Sequence, residues 1–251
     1  MLFFLNFVII IVIKGGIMQR YFAKAKEGDN LILYDSDYHH IKDVMRYQVN
    51  DKIEVIYDDV THICVINSIN PLSLSIIDTI KEDREMTTKL TIAISLVNEQ
   101  KMDLILQKLT ELGVDRIIPV KTQRSVVKLD DKKIDKKLAR WQMICKEASE
   151  QSKRTNVPKV ENIMNLTELL TVPNDLKLIC SLNAETKPLN YYLKENIKDV
   201  LFVIGPEGGF TDDEEKLLQK DFKPVSLGKR VMRVETAAIY VASIINYICE
   251  G

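Results

Sequence analysis

A glycine-rich turn is the feature of this sequence that is best suited to ligand binding. Leu201–Ile204 (LFVI) is typical of a buried strand, and Gly205–Phe210 (GPEGGF) follows it directly. Thr211 and Glu214 have the spacing of a capping box, so a helix is expected to begin there. A strand, a glycine loop and a helix in this order predict a ligand at the carboxyl edge of a sheet, with a purely structural turn as the alternative.

The charges around this turn indicate the kind of ligand. Neither a Gly-Lys-Ser/Thr sequence nor a Gly-x-Gly-x-x-Gly pattern is present. Asp212, Asp213 and Glu214 place carboxylates at the amino terminus of the predicted helix, where a phosphate would otherwise be stabilised. A neutral or cationic ligand is therefore favoured.

A second glycine loop follows another short apolar run. Val225–Leu227 is expected to be a strand, and Gly228 comes directly after it. Arg233 and Glu235 precede Thr236–Ile248, which is apolar on nearly every helical face and must be buried in the domain or against a partner subunit. Two charged groups beside a buried helix are costly unless they are paired or used in a site, so a structural pair and a catalytic pair both remain open.

A parallel sheet is expected to position these loops, because strands and helices alternate from Leu90 onward. The helices include one closed by Gly113 and a long amphipathic one that begins near Ile134. Besides the strands that precede the two glycine loops, the expected strands are Leu90–Leu96, Arg116–Val120 and Leu176–Cys180. The predicted fold class is α/β for residues 90–251.

The amino-terminal part is expected to be a separate small β-barrel over residues 18–80. Its short strands are Leu31–Leu33, Lys52–Tyr57, Thr61–Ile66 and Leu74–Ile80, with one helix-like stretch around 38–47. Residues 81–89 (KEDREMTTK) are rich in charge and lack apolar periodicity, which is typical of a linker.

The first seventeen residues form an apolar amino-terminal extension that is expected to lie outside the fold. Residues 2–13 are apolar except for Asn6, yet a helix of that length spans only about 18 Å of the roughly 30 Å hydrocarbon core. A weak membrane anchor and an extra packed strand are the alternatives. From Met18 onward the sequence is typical of the amino terminus of a soluble protein. No stable membrane association is expected.

Composition excludes several classes of protein. With 251 residues, 46% hydrophobic and 28% charged, the chain is neither disordered nor a disulfide-stapled miniprotein. Four distant cysteines and three histidines make a metal site improbable and favour a cytoplasmic protein. The net charge of −1 hides a basic segment, since residues 101–160 contain fifteen Lys and Arg against eight Asp and Glu. A solvated helix face and an RNA-binding surface both remain open.

The two loops together resemble the RsmE family, S-adenosylmethionine-dependent 16S rRNA (uracil-N3)-methyltransferases of the SPOUT superfamily. The resemblance is carried by Ile204–Phe210 (IGPEGGF) and Ser226–Ala237 (SLGKRVMRVETA), and it extends over residues 18–248. Lys229, Val234, Gln123, Met45 and Met232 depart from the residues common in the family. Further segments that look like the family are Gln19–Phe22, His39–Arg46, Gln107–Val114, Gln123–Ser125 and Glu147–Ser152.

The resemblance implies a fold and a reaction. The fold would be a PUA-like β-barrel that binds RNA, followed by a SPOUT-type α/β domain with a trefoil knot. The carboxyl-terminal domain would form a homodimer. S-adenosylmethionine would be the methyl donor, with no metal, and uracil N3 of 16S rRNA in the small ribosomal subunit would be the acceptor.

The resemblance also assigns roles to individual residues. Arg233 would stabilise the uracil anion, and Glu207 or Glu235 would be the general base. Cofactor contacts are expected from Leu182, Ile204, Gly205, Glu207, Gly208, Gly209, Leu227, Gly228, Val231 and Met232. RNA contacts are expected from Arg20, His39, His40, Arg46, Arg124, Lys153 and Arg154.

Two other functions remain open from the sequence. A SPOUT methyltransferase acting on another RNA nucleotide would carry the same two loops. A non-catalytic RNA-binding protein would need the barrel and the basic segment but no cofactor cleft.

Overall fold

The computed structural model divides the chain into two units, one ending at Glu82 and the other beginning at residue 83. It describes residues 18–28, 30–82, 84–125, 127, 131–182, 186–193 and 197–250. The apolar segment 2–13 lies outside this part of the chain. Within the described residues, no helix is both long and apolar enough to cross a membrane.

The amino-terminal unit is built from one antiparallel hairpin, a three-stranded antiparallel meander and one added strand. β1 lies parallel to β4 at the edge of a four-stranded sheet with the order β1-β4-β5-β6, and β2 pairs with β3. The strands are β1 (Arg20–Phe22), β2 (Ala25–Glu27), β3 (Asn30–Ile32), β4 (Lys52–Tyr57), β5 (Val60–Ile69) and β6 (Leu72–Ile80). Tyr21, Ile53, Val55 and Ile66 are fully or almost fully buried in the core of this unit.

The helical stretch expected around residues 38–47 begins earlier and changes type. α1 (Asp35–His39) is continued by a π-helical turn over His40–Val44. The turn buries Ile41 against the core, while Lys42 and Asp43 stay exposed.

The carboxyl-terminal unit is a seven-stranded sheet in which every strand pair is parallel, with the order β11-β13-β10-β12-β7-β8-β9. Its strands are β7 (Lys89–Ser95), β8 (Arg116–Val120), β9 (Lys159–Val160), β10 (Leu176–Cys180), β11 (Lys187–Pro188), β12 (Asp199–Ile204) and β13 (Lys223–Ser226). Its α-helices are α2 (Glu99–Glu111), α3 (Ile134–Gln151), α4 (Leu166–Leu170), α5 (Leu189–Tyr192), α6 (Asp212–Leu218) and α7 (Val234–Glu250).

Both faces of this sheet are covered, as the uninterrupted apolar strands predict. Successive residues of β12 alternate between two cores: Phe202 packs with α2, α3 and α7, whereas Leu201 and Val203 pack with α4 and α6. The apolar helix expected over residues 236–248 is α7, and its residues Ala238 and Val241 are fully buried.

The segment predicted to be a linker has anchored residues at both ends. Glu82 accepts a hydrogen bond from Thr61 Oγ1 at 2.7 Å in the amino-terminal unit. Met86 is buried in the carboxyl-terminal core, and Thr88 Oγ1 donates to the carbonyl of Ile197 at 2.7 Å. β7 begins at Lys89, the last residue of the proposed linker.

Two arginines predicted to contact RNA are instead buried within the units, which corrects that prediction. Arg20 is 2% exposed and forms ion pairs with Glu54, at 2.8 Å, and with Glu82. Arg154 is 3% exposed, bonds Glu85 Oε2 from Nε at 3.0 Å, and donates from Nη1 to the carbonyls of Thr110 and Val114 at 3.0 and 2.8 Å. A buried guanidinium held in this way is not available to a phosphate.

The interior of α2 gives a first prediction about stability. Leu106 is fully buried on the sheet side of α2, whereas Leu104, on the same helix, is 40% exposed. Leu106→Ala should lower the free energy of unfolding by about 2–5 kcal/mol, because it leaves a cavity in a packed core. Leu104→Ala should change it by no more than about 0.5 kcal/mol. Urea unfolding of both variants measures the difference, and equal losses would contradict this packing.

The Arg154 cluster gives a second prediction. Arg154→Met should destabilise the carboxyl-terminal unit by about 3–5 kcal/mol, because Glu85 would be left without its buried counter-charge. The matched control is Lys159→Met, since Lys159 is 71% exposed in its pair with Glu161 and such pairs are worth about 1 kcal/mol or less. Denaturant titration of both variants decides the matter, and a wild-type midpoint for Arg154→Met would refute the assignment.

Candidate active site

A large cavity lies at the carboxyl edge of the parallel sheet, where three neighbouring strands end. Its volume is about 1010 Å³, and its walls come from the segments that follow β10, β12 and β13. Lys101 and Arg124 complete the lining. All ten residues expected to contact a cofactor line it, namely Leu182, Ile204, Gly205, Glu207, Gly208, Gly209, Leu227, Gly228, Val231 and Met232.

The first glycine loop folds back on itself after β12. A Cβ at Gly205 would lie 3.0 Å from the ring of Phe210, so only glycine fits beside that ring without displacing it. Gly209 N donates to Pro206 O at 2.8 Å, which closes the turn. Arg124 Nη1 then donates to the carbonyls of Gly208 and Phe210 at 2.9 and 3.1 Å. Arg124, which was predicted to contact RNA, thus holds the first glycine loop in place by hydrogen bonds from the cavity wall.

The amino terminus of α6 is occupied by carboxylates, as its sequence predicts. Thr211 caps the helix in a capping box with Glu214, whose Oε1 also accepts the backbone N–H of Gln123 at 2.7 Å. Because this contact uses the backbone of Gln123, the departure from the residue common in the family does not affect it. Glu215 bonds Ser181 Oγ and lines the cavity. These carboxylates occupy the helix amino terminus, where a phosphate would otherwise be stabilised.

The second loop carries an exposed arginine to the start of α7. Gly228 has φ +121°, a conformation that L side chains rarely adopt, and its N–H bonds Ser226 Oγ at 3.2 Å. The backbone carbonyl of Arg233 accepts from Ala237 N at 2.8 Å, so this residue directly precedes the helix. Its side chain is exposed and lines the cavity.

The two candidate bases are joined by a lysine that the sequence reasoning missed. Lys101 Nζ forms an ion pair with Glu207 Oε1 and lies 4.0 Å from Glu235 Oε2. Glu207 lines the cavity and is 49% exposed, whereas Glu235 is outside the lining and 14% exposed. A signal was present in the sequence, because Asn98 is a strong helix cap that places Lys101 in the first turn of α2.

The cavity wall also contains a cysteine, Cys180. Burial raises the pKa of the Cys180 thiol to about 12, so it remains protonated at neutral pH. The thiolate is the nucleophilic form of cysteine.

The other residues predicted to contact RNA lie on the surface or partly so. In the amino-terminal unit His39 is exposed and pairs with Asp43 at 2.6 Å, and His40 Nδ1 bonds the hydroxyl of Tyr21 at 2.9 Å. Arg46 is exposed with φ +56°, and Lys153, in the other unit, is half-buried with φ +61°. Arg20 and Arg154 are buried, as described above. Within the described ranges, no group of three or more His, Cys, Asp or Glu side chains is arranged to hold a metal ion.

Comparisons with known families agree with this two-unit architecture. Residues 84–246 match the family described as an RNA methyltransferase domain, and residues 33–78 match an RNA methyltransferase PUA domain. The ribosomal RNA small subunit methyltransferase E of Bacillus subtilis is 36% identical over 250 residues, 93% of this chain and 98% of that protein. The protein of the same name from Mesomycoplasma hyopneumoniae is 32% identical over 89% of this chain and 97% of its own.

Solved structures give the same result for the fold. A ribosomal RNA small subunit methyltransferase E from Neisseria gonorrhoeae, bound to S-adenosyl methionine, superposes with a TM-score of 0.85 at 31% identity. A methyltransferase from Legionella pneumophila in complex with its cofactor SAM superposes with a TM-score of 0.87 at 30% identity. Each comparison covers 92% of this chain and 98% of the other.

These relatives confirm the predicted fold class, a SPOUT-type α/β domain preceded by a small PUA-like domain. The match to the RNA methyltransferase domain spans well over half of the chain, and the Bacillus subtilis protein is 36% identical over 93% of it. The chain therefore belongs to the RsmE family of RNA methyltransferases.

Proposed function

We propose that this protein methylates N3 of a uracil in 16S ribosomal RNA and uses S-adenosylmethionine as the methyl donor. The observation that carries the proposal is the convergence of both glycine loops, Glu207 and Arg233 on one cavity at the edge of the sheet. Three of the relatives described above are named ribosomal RNA small subunit methyltransferase E, which supports the same substrate.

The cavity suits S-adenosylmethionine in size and in chemistry. Its volume of about 1010 Å³ is at the upper end of the range of small-molecule sites, roughly 300–1,000 Å³. Leu182, Leu227 and Met232 provide apolar surface for a base, while Glu207 and Glu215 provide negative charge. When bound, the cofactor would supply an electrophilic methyl group on a positively charged sulfur. The loops Gly205–Gly209 and Leu227–Met232 would hold it through their backbone groups.

Methylation at N3 of uracil requires a base, because N3 is an imide nitrogen that carries a proton. Glu207 is the better placed of the two candidates, since it lines the cavity and is half exposed. Glu235, which does not line the cavity, would assist Glu207 and would not contact the substrate. Arg233 would stabilise the negative charge that develops on the uracil as the proton leaves.

Binding of ribosomal RNA is assigned to exposed or half-buried residues of each unit. We assign phosphate contacts or base stacking to His39, His40 and Arg46 in the amino-terminal unit and to Lys153 in the other. Arg124 would affect RNA binding only indirectly, through the first glycine loop to which it is hydrogen-bonded. A substrate in the ribosome also implies that the protein acts in the cytoplasm.

A homodimer formed through the carboxyl-terminal domain is part of the proposal. Tyr240, Tyr247 and Ile248 on α7 are 40%, 77% and 50% exposed, although the other face of the helix is fully buried. Two large side chains exposed near the end of an otherwise apolar helix favour contact with a second copy of the same helix.

Removal of the Arg233 guanidinium gives the main test of function. Arg233→Ala should lower kcat by about 10²–10³-fold, as loss of one group that stabilises a developing anion does elsewhere. Its melting temperature should match that of the wild type, because the side chain is exposed. The assay is methylation of unmodified small-subunit RNA and small subunits, followed by mass spectrometry of the nucleosides.

Two controls accompany this assay. Lys220→Ala, which removes an exposed charge outside the cavity, should keep wild-type activity. Calorimetry with S-adenosylmethionine separates an enzyme from a non-catalytic RNA-binding protein. Absence of 3-methyluridine in the wild-type reaction, or an unchanged rate in Arg233→Ala, would overturn the proposal, and a different methylated nucleoside would assign another target.

The homodimer is tested by light scattering in solution. The wild type should have twice the mass of one chain, and Tyr247→Glu should reduce it by placing a charge in the interface. Tyr191→Glu is the matched control, because Tyr191 is 51% exposed on α5. A wild-type protein with the mass of one chain would refute the dimer.

A further inference from the structure

Lys101 occupies a position that needs an explanation. It lies in the first turn of α2, where Asn98 Oδ1 accepts its backbone N–H at 3.0 Å. A positive charge at this end of a helix is opposed by the helix dipole. The side chain is 27% exposed, lines the cavity and forms its ion pair with Glu207, a residue 106 positions away in the sequence.

Glu235, the other carboxylate near Lys101, also has an unusual environment. Its Oε2 atom is buried and has no hydrogen-bond partner among the described residues. Buried carboxylate oxygens are normally paired, and exceptions often mark functional sites. The nearest cation recorded for this atom is Lys101 Nζ at 4.0 Å, about 1 Å beyond hydrogen-bonding distance.

We propose that Lys101 is a positioning residue that holds Glu207 in the resting enzyme and transfers its pairing to Glu235 when Glu207 accepts the proton of the substrate imide. This inference rests on the function proposed above. It gives Glu207 the role of the base and Glu235 the role of an anchor for the lysine.

The exchange follows from the charges at each stage. Before reaction, Glu207 is the closer carboxylate, and its contact with Lys101 keeps the side chain at the cavity wall. During reaction the N3–H bond breaks, its electron pair stays on the uracil, and the proton forms an O–H bond on Glu207. Glu207 is then neutral, so Glu235 becomes the stronger partner for the lysine ammonium. A movement of about 1 Å brings Nζ within hydrogen-bonding distance of Oε2.

The first test is structural and needs no activity. Glu207→Gln imitates the neutral, protonated form of Glu207 at nearly the same volume. In a crystal structure of this full-length variant, the distance from Lys101 Nζ to Glu235 Oε2 should shorten to about 2.7–2.9 Å, the usual length of a charge-assisted hydrogen bond. The wild-type crystal structure should retain the longer separation. A distance near 4 Å in the variant would overturn the proposal.

The second test is kinetic. Lys101→Met should lower kcat for RNA methylation by about 10–100-fold, less than the 10²–10⁴-fold that a general base contributes. Its Kd for S-adenosylmethionine, measured by calorimetry, and its melting temperature should remain those of the wild type. Lys101→Arg should recover most of kcat because it keeps the charge. Lys108→Met, which breaks a surface pair with Glu111 on the same helix, should behave as the wild type.

A double variant separates action through Glu207 from direct contact with the substrate. If Lys101 acts through Glu207, Lys101→Met combined with Glu207→Gln should be no slower than Glu207→Gln alone. Multiplied losses would overturn the proposal and place Lys101 on the substrate. Wild-type protein without N3-methylating activity would refute the proposed function itself, whereas active wild type with fully active Lys101→Met refutes only this inference.

Discussion

The parallel pairing of β10 with both β12 and β13 is the interaction on which the site depends. These strands end at Cys180, Ile204 and Ser226, and because all three run in the same direction, their ends meet at one edge of the sheet. The segments that follow them form the cavity together, although they are far apart in the sequence. The pairing is possible because the strands are apolar on both faces and are covered by helices on both sides. A polar face on β12 would remove one of the two cores and the strand order with it.

Charges of both signs line the cavity at this edge, because Lys101, Arg124 and Arg233 stand there beside two glutamates. Glu207 and Glu215 line the cavity, and α6 begins with four consecutive acidic residues. Elsewhere in this unit the sequence is basic, with a net charge of +7 over residues 101–160. The overall charge of −1 is therefore a sum over one basic segment and an acidic remainder of the chain. Composition averaged over the chain conceals this separation, while a count by segment shows it.

Local patterns in the sequence predicted the features that depend on local physics. The Thr211 cap, the glycine loops and the α/β alternation all appear as expected, because each is determined within a few residues. β1 and β11, which have two or three residues, were not predicted, since such strands exist only through their partners. The burial of Arg20 and Arg154 was also missed. Their partners Glu54 and Glu85 lie 34 and 69 positions away, and an arginine in a sequence carries no sign of a distant carboxylate.

The position of Lys101 shows how the sheet order brings in residues outside the recognisable motifs. α2 follows β7, and β7 pairs with β12 over six residues, so the amino terminus of α2 emerges beside the first glycine loop. α7 packs against α2 and brings Glu235 to the same place. Proton handling at Glu207 would thus depend on β7, a strand that contributes nothing to the cofactor loops. The candidate bases Glu207 and Glu235 lie in segments that are recognisable in the sequence, but the lysine between them is brought there by strand adjacency. Lys101 could therefore be named only once the fold was known.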